Sequence, residues 1–187
     1  MGVKVFKGVP TLETGRLIIR AISNDDIAPI YIHMKNKEVR KFFDKFWPID
    51  KEGIEKFVNG AIQRNENDQS CEWVIFLKDE KRFAGRIWFG GFLNWCNAVY
   101  VGYSLDYSYW GRGIASEALE RVIQFGFDEM LLKRIEAWHD STNIASGKVM
   151  LKCGLIFEGV LRERGQTGNA EMYSILESDY REENKKL

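Results

Sequence analysis

Residues Trp110 to Ser116 read WGRGIAS and set two glycines one residue apart, directly ahead of an apolar run at helical spacing. A helix N-terminus leaves its first amide N–H groups unpaired and carries about half a positive charge. Glycines at such a point let a phosphate touch the backbone, and successive amides can form an anion-holding nest. Trp110, Gly111, Arg112, Gly113, Ile114, Ala115 and Ser116 therefore form a candidate pyrophosphate cradle, with Arg112 as a charge partner. An ordinary glycine turn feeding a helix satisfies the same residues. Further on, Asn143 and Ser146 stand three apart in NIAS, a spacing that puts both on one helix face. The Asn amide is donor and acceptor at once, and the Ser hydroxyl can give a proton or a hydrogen bond. Their local alternatives are a helix N-cap for Asn143 and a bond to its own helix backbone for Ser146.

Two phosphate-binding motifs come close and fail. A Walker loop needs Gly-Lys-Ser/Thr, which the chain lacks. The dinucleotide fingerprint G-x-G-x-x-G finds Gly111 and Gly113 but Ser116 in third place, with Glu136 near the ribose-binding position. That motif belongs to repeated parallel βαβ units, and the flanking sequence does not supply them.

The elements around the glycines define the context. GRLIIRAI alternates Leu17, Ile19 and Ala21 on one face and predicts a strand. Ser23 and Asp26 have capping-box spacing and open a helix over about 25–35. Pro48 breaks the chain, and Asp50 caps a second helix carrying Ile54, Phe57, Val58, Ala61 and Ile62. CEWVIFL, RFAGRIWFG and AVYVGYSL predict three strands, the first two joined through KDEK as an antiparallel hairpin. Ile114, Ala118, Leu119, Val122, Ile123 and Phe127 form one stripe and predict a helix over about 113–130. KRIEAWH predicts a strand, and STNIASGKVMLKC a short helix ended by Gly154. LIFEGVLRE and AEMYSILES close the chain as a hairpin through GQTGN. Antiparallel hairpins around one strand–helix–strand crossover imply an α+β fold, a mixed sheet with helices packed on it.

Composition narrows the classes. The 187 residues suit one domain, 1–187, and 45% hydrophobic content supplies a core. With 27 basic and 27 acidic residues interleaved, no global field draws the chain to nucleic acid or anionic membrane. The N-terminus lacks an apolar signal segment, Phe6 breaks the myristoylation pattern after Gly2, and no run suggests a membrane span. Cys71, Cys96 and Cys153 make no disulfide framework or zinc pattern, so a cytoplasmic protein without a metal is expected. Cys153 reads as a packed thiol. His33 and His139 are isolated in sequence and read as surface or packing residues.

Taken in order, these motifs resemble the GNAT superfamily of acyl-CoA-dependent N-acyltransferases, and within it the RimJ/RimL type named for acetylating ribosomal-protein N-termini. The superfamily signature is Gln/Arg-x-x-Gly-x-Gly/Ala, where this chain has Trp110-Gly111-Arg112-Gly113-Ile114-Ala115. Trp in first place departs from that pattern, but WGRGIASEAL is similar to the subgroup's wording. LETGRLIIRAISNDDI, VGYSLDYSYWGRG and KRIEAWHDSTNIASGKVMLKCGLIFEGVLRE extend the resemblance over about residues 11–178.

The resemblance implies a twisted, mostly antiparallel sheet with helices on both faces, splayed between its fourth strand (YVGYSL) and fifth (RIEAWH). Pantetheine would insert there along the backbone of Tyr103, Ser104 and Leu105, with Trp110–Ser116 on the pyrophosphate and Asn143 on the arm. Lys148 could meet an adenine-nucleotide phosphate. An amine would attack the thioester of acetyl-CoA directly, the Leu105 N–H would hold the oxyanion, and Ser146 would serve the departing sulfur as general acid. The base is unassigned: Glu163, Glu171 and Tyr100 are its candidates, and a water relay suffices for an α-amine. Phe42, Phe43, Phe46 and Trp47 lie where the family walls its acceptor site, with Asp44 and Asp50 near a cationic amine. The acceptor would be a protein N-terminus or a small amine, and the family's habit leaves a homodimer open. The alternative is a non-catalytic acyl-CoA-binding module.

Overall fold

The computed structural model describes residues 8–43, 47–48 and 50–184. One eight-stranded sheet runs β1-β2-β3-β4-β5-β6-β8-β7. Its strands are β1 (Leu12–Glu13), β2 (Leu17–Ala21), β3 (Cys71–Leu77), β4 (Arg82–Leu93), β5 (Ala98–Leu105), β6 (Arg134–Asp140), β7 (Ile156–Leu161) and β8 (Ala170–Leu176). Every neighbouring pair is antiparallel except β5 and β6. The short β1 was not expected, so the predicted fourth and fifth strands are β5 and β6.

Strand alternation sorts side chains between two cores. Trp73, Ile75 and Leu77 of β3 enter the larger one, with α4 (Ile114–Asp128) and α5 (Ile144–Lys152) on that face. Val74 points the other way, against Ile30 and Met34 of α1 (Ile27–Lys35) and Ile54, Val58 and Ala61 of α3 (Lys51–Glu66). Helices therefore cover both faces. The predicted helix over 25–35 begins with a 3₁₀ turn at Asn24–Asp26, where the Ser23 N–H donates to Asp26 Oδ2 at 2.8 Å. Asp50 Oδ1 accepts from Gly53 N–H at 2.7 Å, capping α3. Sequence reasoning missed α2 (Lys37–Arg40) and α6 (Glu177–Asn184). The latter is polar along its length and is held by tertiary contacts, with Tyr180 stacked on Phe127 at 5.1 Å and Arg181 paired with Asp128.

The parallel join positions the site. β5 and β6 are in register only at Ala98–Arg134, Val99–Ile135 and Tyr100–Glu136. Beyond them β5 stays paired with β4 as far as Leu105, and β6 with β8 as far as Asp140. The sheet thus opens along 101–105, in front of the α4 and α5 N-termini. Among the described residues, no helix is long and apolar enough to cross a membrane.

Candidate active site

A cavity of about 740 Å³ occupies this opening. One end of it is built from backbone. Gly111 and Gly113 have φ of +72° and +73°, conformations that cost a residue with a Cβ about 1–2 kcal/mol. Gly113 is the α4 N-cap, and the first helical bond runs from Glu117 N–H to its carbonyl at 3.1 Å. The amides ahead of that bond lack an intrahelical acceptor, and Gly111, Gly113, Ile114, Ala115 and Ser116 line the cavity. The loop is pinned from behind. Glu117 accepts from Arg16 N–H at 3.0 Å, from Arg16 Nε at 2.6 Å and from Thr14 Oγ1 at 2.5 Å. Burial raises the Glu117 carboxyl pKa, but these bonds outweigh burial and hold it below the ordinary value. Trp110 also lines the cavity, and its Nε1–H donates to the Leu105 carbonyl at 3.0 Å, tying loop to strand.

Arg112 is placed differently from the expectation. Its guanidinium lies 3.4 Å from Glu80 and over the Tyr109 ring, and it is not among the cavity-lining residues. The charge partner at the loop is thus turned aside toward Glu80, and the cradle presents backbone.

Along the opening, Tyr103, Ser104 and Leu105 of β5 face Asn143, Ser146 and Lys148 at the start of α5. Asn143 Oδ1 accepts from Ser146 N–H at 3.3 Å, which is the N-cap arrangement. Tyr103 adds a side chain where only its backbone was expected. Its Oη lies 2.8 Å from Ser146 Oγ and 3.0 Å from the Ser146 carbonyl. Burial raises the Tyr103 phenol well above the ordinary tyrosine value, so this pair holds its protons at any physiological pH.

The base candidates scatter. Glu163 is exposed, its N–H bonded to Asn169 Oδ1, and it does not line the cavity. Glu171 accepts from Tyr173 Oη at 2.9 Å and sits 3.5 Å from His139 Nε2, outside the cavity wall. Tyr100 does line it, with its phenol raised by burial and by Glu136. Glu136 is held by Arg134 at 2.6 Å on β6, as a sheet residue.

Neither histidine is a surface residue. His33 is fully buried, and its Nε2 lies 2.7 Å from Ser104 Oγ at the cavity wall. Burial and then Arg86 lower its pKa to about 4, outweighing Asp106, so it orients the Ser104 hydroxyl as a neutral ring. His139 is buried and lines the cavity, stacks on Tyr173 and bonds the Asp140 carbonyl through Nδ1 at 2.7 Å. No spacing could have shown either contact, since His33 and Ser104 are 71 residues apart. Cys153 is a packed thiol, pushed up to about 12 by burial. Phe42, Phe43 and Trp47 line the far end of the cavity, whereas Asp50 caps α3. Phe46 and Asp44 lie outside the described residues.

An amide nest at a helix start, opening onto a gap between parallel strands, has the shape and polarity to hold a long anionic ligand. Residues 16–156 match the family described as acetyltransferase (GNAT) domain. The uncharacterized N-acetyltransferase YoaA of Bacillus subtilis is 31% identical over 175 residues, covering 89% of this chain and 97% of that protein. The ribosomal-protein-serine acetyltransferase of Escherichia coli is 28% identical over 152 residues, covering 79% of this chain and 83% of its own. Among solved structures, RimL, a ribosomal L7/L12 alpha-N-protein acetyltransferase in complex with coenzyme A, superposes with a TM-score of 0.81 at 22% identity. It covers 89% of this chain and 98% of its own, a likeness of fold. The chain belongs to the GNAT acetyltransferase family.

Proposed function

We propose that this protein is an acetyl-CoA-dependent N-acetyltransferase that transfers acetyl to a primary amine by direct attack on the thioester. The observation that carries the reading is the β5–β6 opening, which stands in front of amides that have no intrahelical acceptor. The substrate's pyrophosphate fits Gly111 to Ser116, where glycine φ values bring the backbone forward. Its pantetheine arm runs along Tyr103–Leu105 and past Asn143, adding hydrogen bonds to a strand that has lost its neighbour. Lys148 lines the same end and suits a phosphate.

In the transfer, the amine nitrogen bonds the thioester carbon, the carbon–sulfur bond breaks, and the sulfur leaves with the electron pair. The Leu105 N–H is the candidate oxyanion donor on the open strand. Ser146, coupled to a phenol that stays protonated, is the candidate donor to the leaving sulfur. The amine must be neutral to attack. An α-amine, with a pKa near 8, is partly so at neutral pH and can give its second proton to water. Glu163 and Glu171 both lie outside the cavity wall, which favours that route over a carboxylate base. Two acceptor classes suit such an amine: a protein N-terminus, in keeping with the name of the ribosomal-protein-serine acetyltransferase of Escherichia coli, and a small amine.

Calorimetric titration with acetyl-CoA, followed by thiol release with a panel of amines, tests the proposal. Micromolar binding together with amine-dependent release is expected. No heat at high micromolar ligand overturns it, and binding without release for any amine reduces the protein to a coenzyme-binding module.

A further inference from the structure

Beyond the expected thioester position the cavity continues into a chamber with aromatic walls. Trp88, Tyr100 and Trp138 from the sheet face Phe42, Phe43 and Trp47. Two glycines admit the sheet rings. A Cβ at Gly102 would lie 2.2 Å from Trp88 Cζ2, and one at Gly91 would lie 3.0 Å from Tyr100 Cδ2. Glycine weakens a strand interior unless something needs the space, and here the Trp88 indole occupies the place of the missing Cβ. Trp47 is fixed by Phe43 at 5.1 Å and Phe57 at 5.0 Å. Behind this wall Arg86 is buried, its guanidinium 5.1 Å from both the Trp47 and Trp88 rings. Its nearest carboxylate, Glu72, is 3.8 Å away.

Charge around the chamber supplies a second, independent observation. Arg164 lines the same cavity with its guanidinium 5.2 Å over Trp138, and lies near enough to Tyr100 to act on its phenol. Among the described residues no carboxylate pairs with it. The one carboxylate lining the cavity among those residues is Asp140. It is already taken, accepting from the N–H and Oγ1 of both Thr142 and Thr167 at 2.5–2.9 Å. Lys148 and Lys152 of α5 also line the cavity, and Glu136, which bonds Tyr100, is itself paired with Arg134. The chamber therefore offers stacking surface, the Arg164 cation and a second cation, Arg86, behind the wall. A polyamine or aminoglycoside would bring like charge to it.

We propose that the acceptor is a primary amine bearing a planar aromatic group and a carboxylate, in the manner of an aromatic α-amino acid. Its ring lies on Trp88, its carboxylate engages the Arg164 fork, and its amine faces the thioester. The inference rests on the acyl-transfer reading above and names the substrate class of that site. The products are the N-acetyl amino acid and the free thiol. The proton that the attacking nitrogen loses balances the one that the sulfur gains.

The test is thiol release from acetyl-CoA with L-tryptophan, L-phenylalanine, the amides of both, and spermidine, in wild type, Arg164→Gln and Arg164→Lys. Arg164 is exposed, so the variants should fold, and calorimetric affinity for acetyl-CoA should match in all three. The free acids are expected to exceed their amides by about tenfold or more in kcat/KM, as a charge-assisted bidentate contact predicts. Arg164→Gln should abolish that preference and Arg164→Lys restore part of it. Preference for spermidine, equal use of acids and amides by wild type, or no turnover of either acid by protein that binds acetyl-CoA overturns the inference. Failure of acetyl-CoA to bind instead overturns the donor-site reading and takes this inference with it.

Discussion

The two ends of the cavity are made of different material. The proposed donor end is backbone: a glycine loop, a helix start and an unpaired stretch of β5, supplied by one continuous segment from Tyr103 to Ser116 with α5 opposite. The proposed acceptor end is side chains, brought from the loop before α3, from β4, β5 and β6, and from the turn after β7. A backbone site tolerates sequence change and selects a ligand by shape and charge. A side-chain site can be rebuilt by one substitution. The donor end should accordingly be the common part of this fold and the acceptor end the part that is specific to this chain.

That contrast can be broken in four places. The largest effect is expected beneath the acceptor wall, at His33. The folded state holds its pKa near 4 against 6.5 for the ordinary side chain, so the unfolded chain binds the extra proton. Stability from this group is complete above pH 6.5 and falls as pH drops toward 4, by about 3 kcal/mol over the window. Denaturant titrations at pH 7 and pH 4.5 should show the loss in wild type and a smaller one in His33→Gln. Parallel curves would mean that the imidazole is solvated.

Next comes Ser146→Ala, which should lower kcat about a hundredfold while leaving calorimetric affinity for acetyl-CoA nearly unchanged, as loss of a proton donor predicts. An unchanged kcat would return Ser146 to a helix residue. At the acceptor end, Gly102→Val drives a Cβ into Trp88 and should cost about thirtyfold in kcat/KM for the amine, the scale of overpacking. Coenzyme affinity should stay within about threefold, so an equal loss at both ends would deny that they are separable. The smallest effect is Gly113→Val, a left-handed position where a β-branched residue is strained. It should weaken coenzyme A binding about tenfold in calorimetry and leave amine selectivity alone.

Legibility in the sequence followed the same divide. WGRGIAS could be read because its meaning lies in local backbone and the helical stripe that follows it. The strands, the hairpin ends and the caps Asp50 and Asn143 were equally local. Arg112 pointed where charge logic alone would not send it, because Glu80 comes from the β3–β4 turn and stands beside it. The Tyr103–Ser146 bond, the Ser104–His33 bond and the Trp88–Gly102 contact join residues that approach only when the sheet is assembled. Nothing local to Gly102 announces Trp88, and nothing local to Arg164 announces Trp138. The opening itself was inferred from resemblance, and its boundary at Tyr100–Glu136 required the register.

The account depends on the α4 amides and the free edge of β5 gripping one ligand together. Amide hydrogen exchange with and without coenzyme A measures this residue by residue. Slowed exchange is predicted at 111–116 and at 103–105, with little change in β1 to β3. Unchanged exchange at both segments under saturating coenzyme A, or protection confined to another surface, would contradict it.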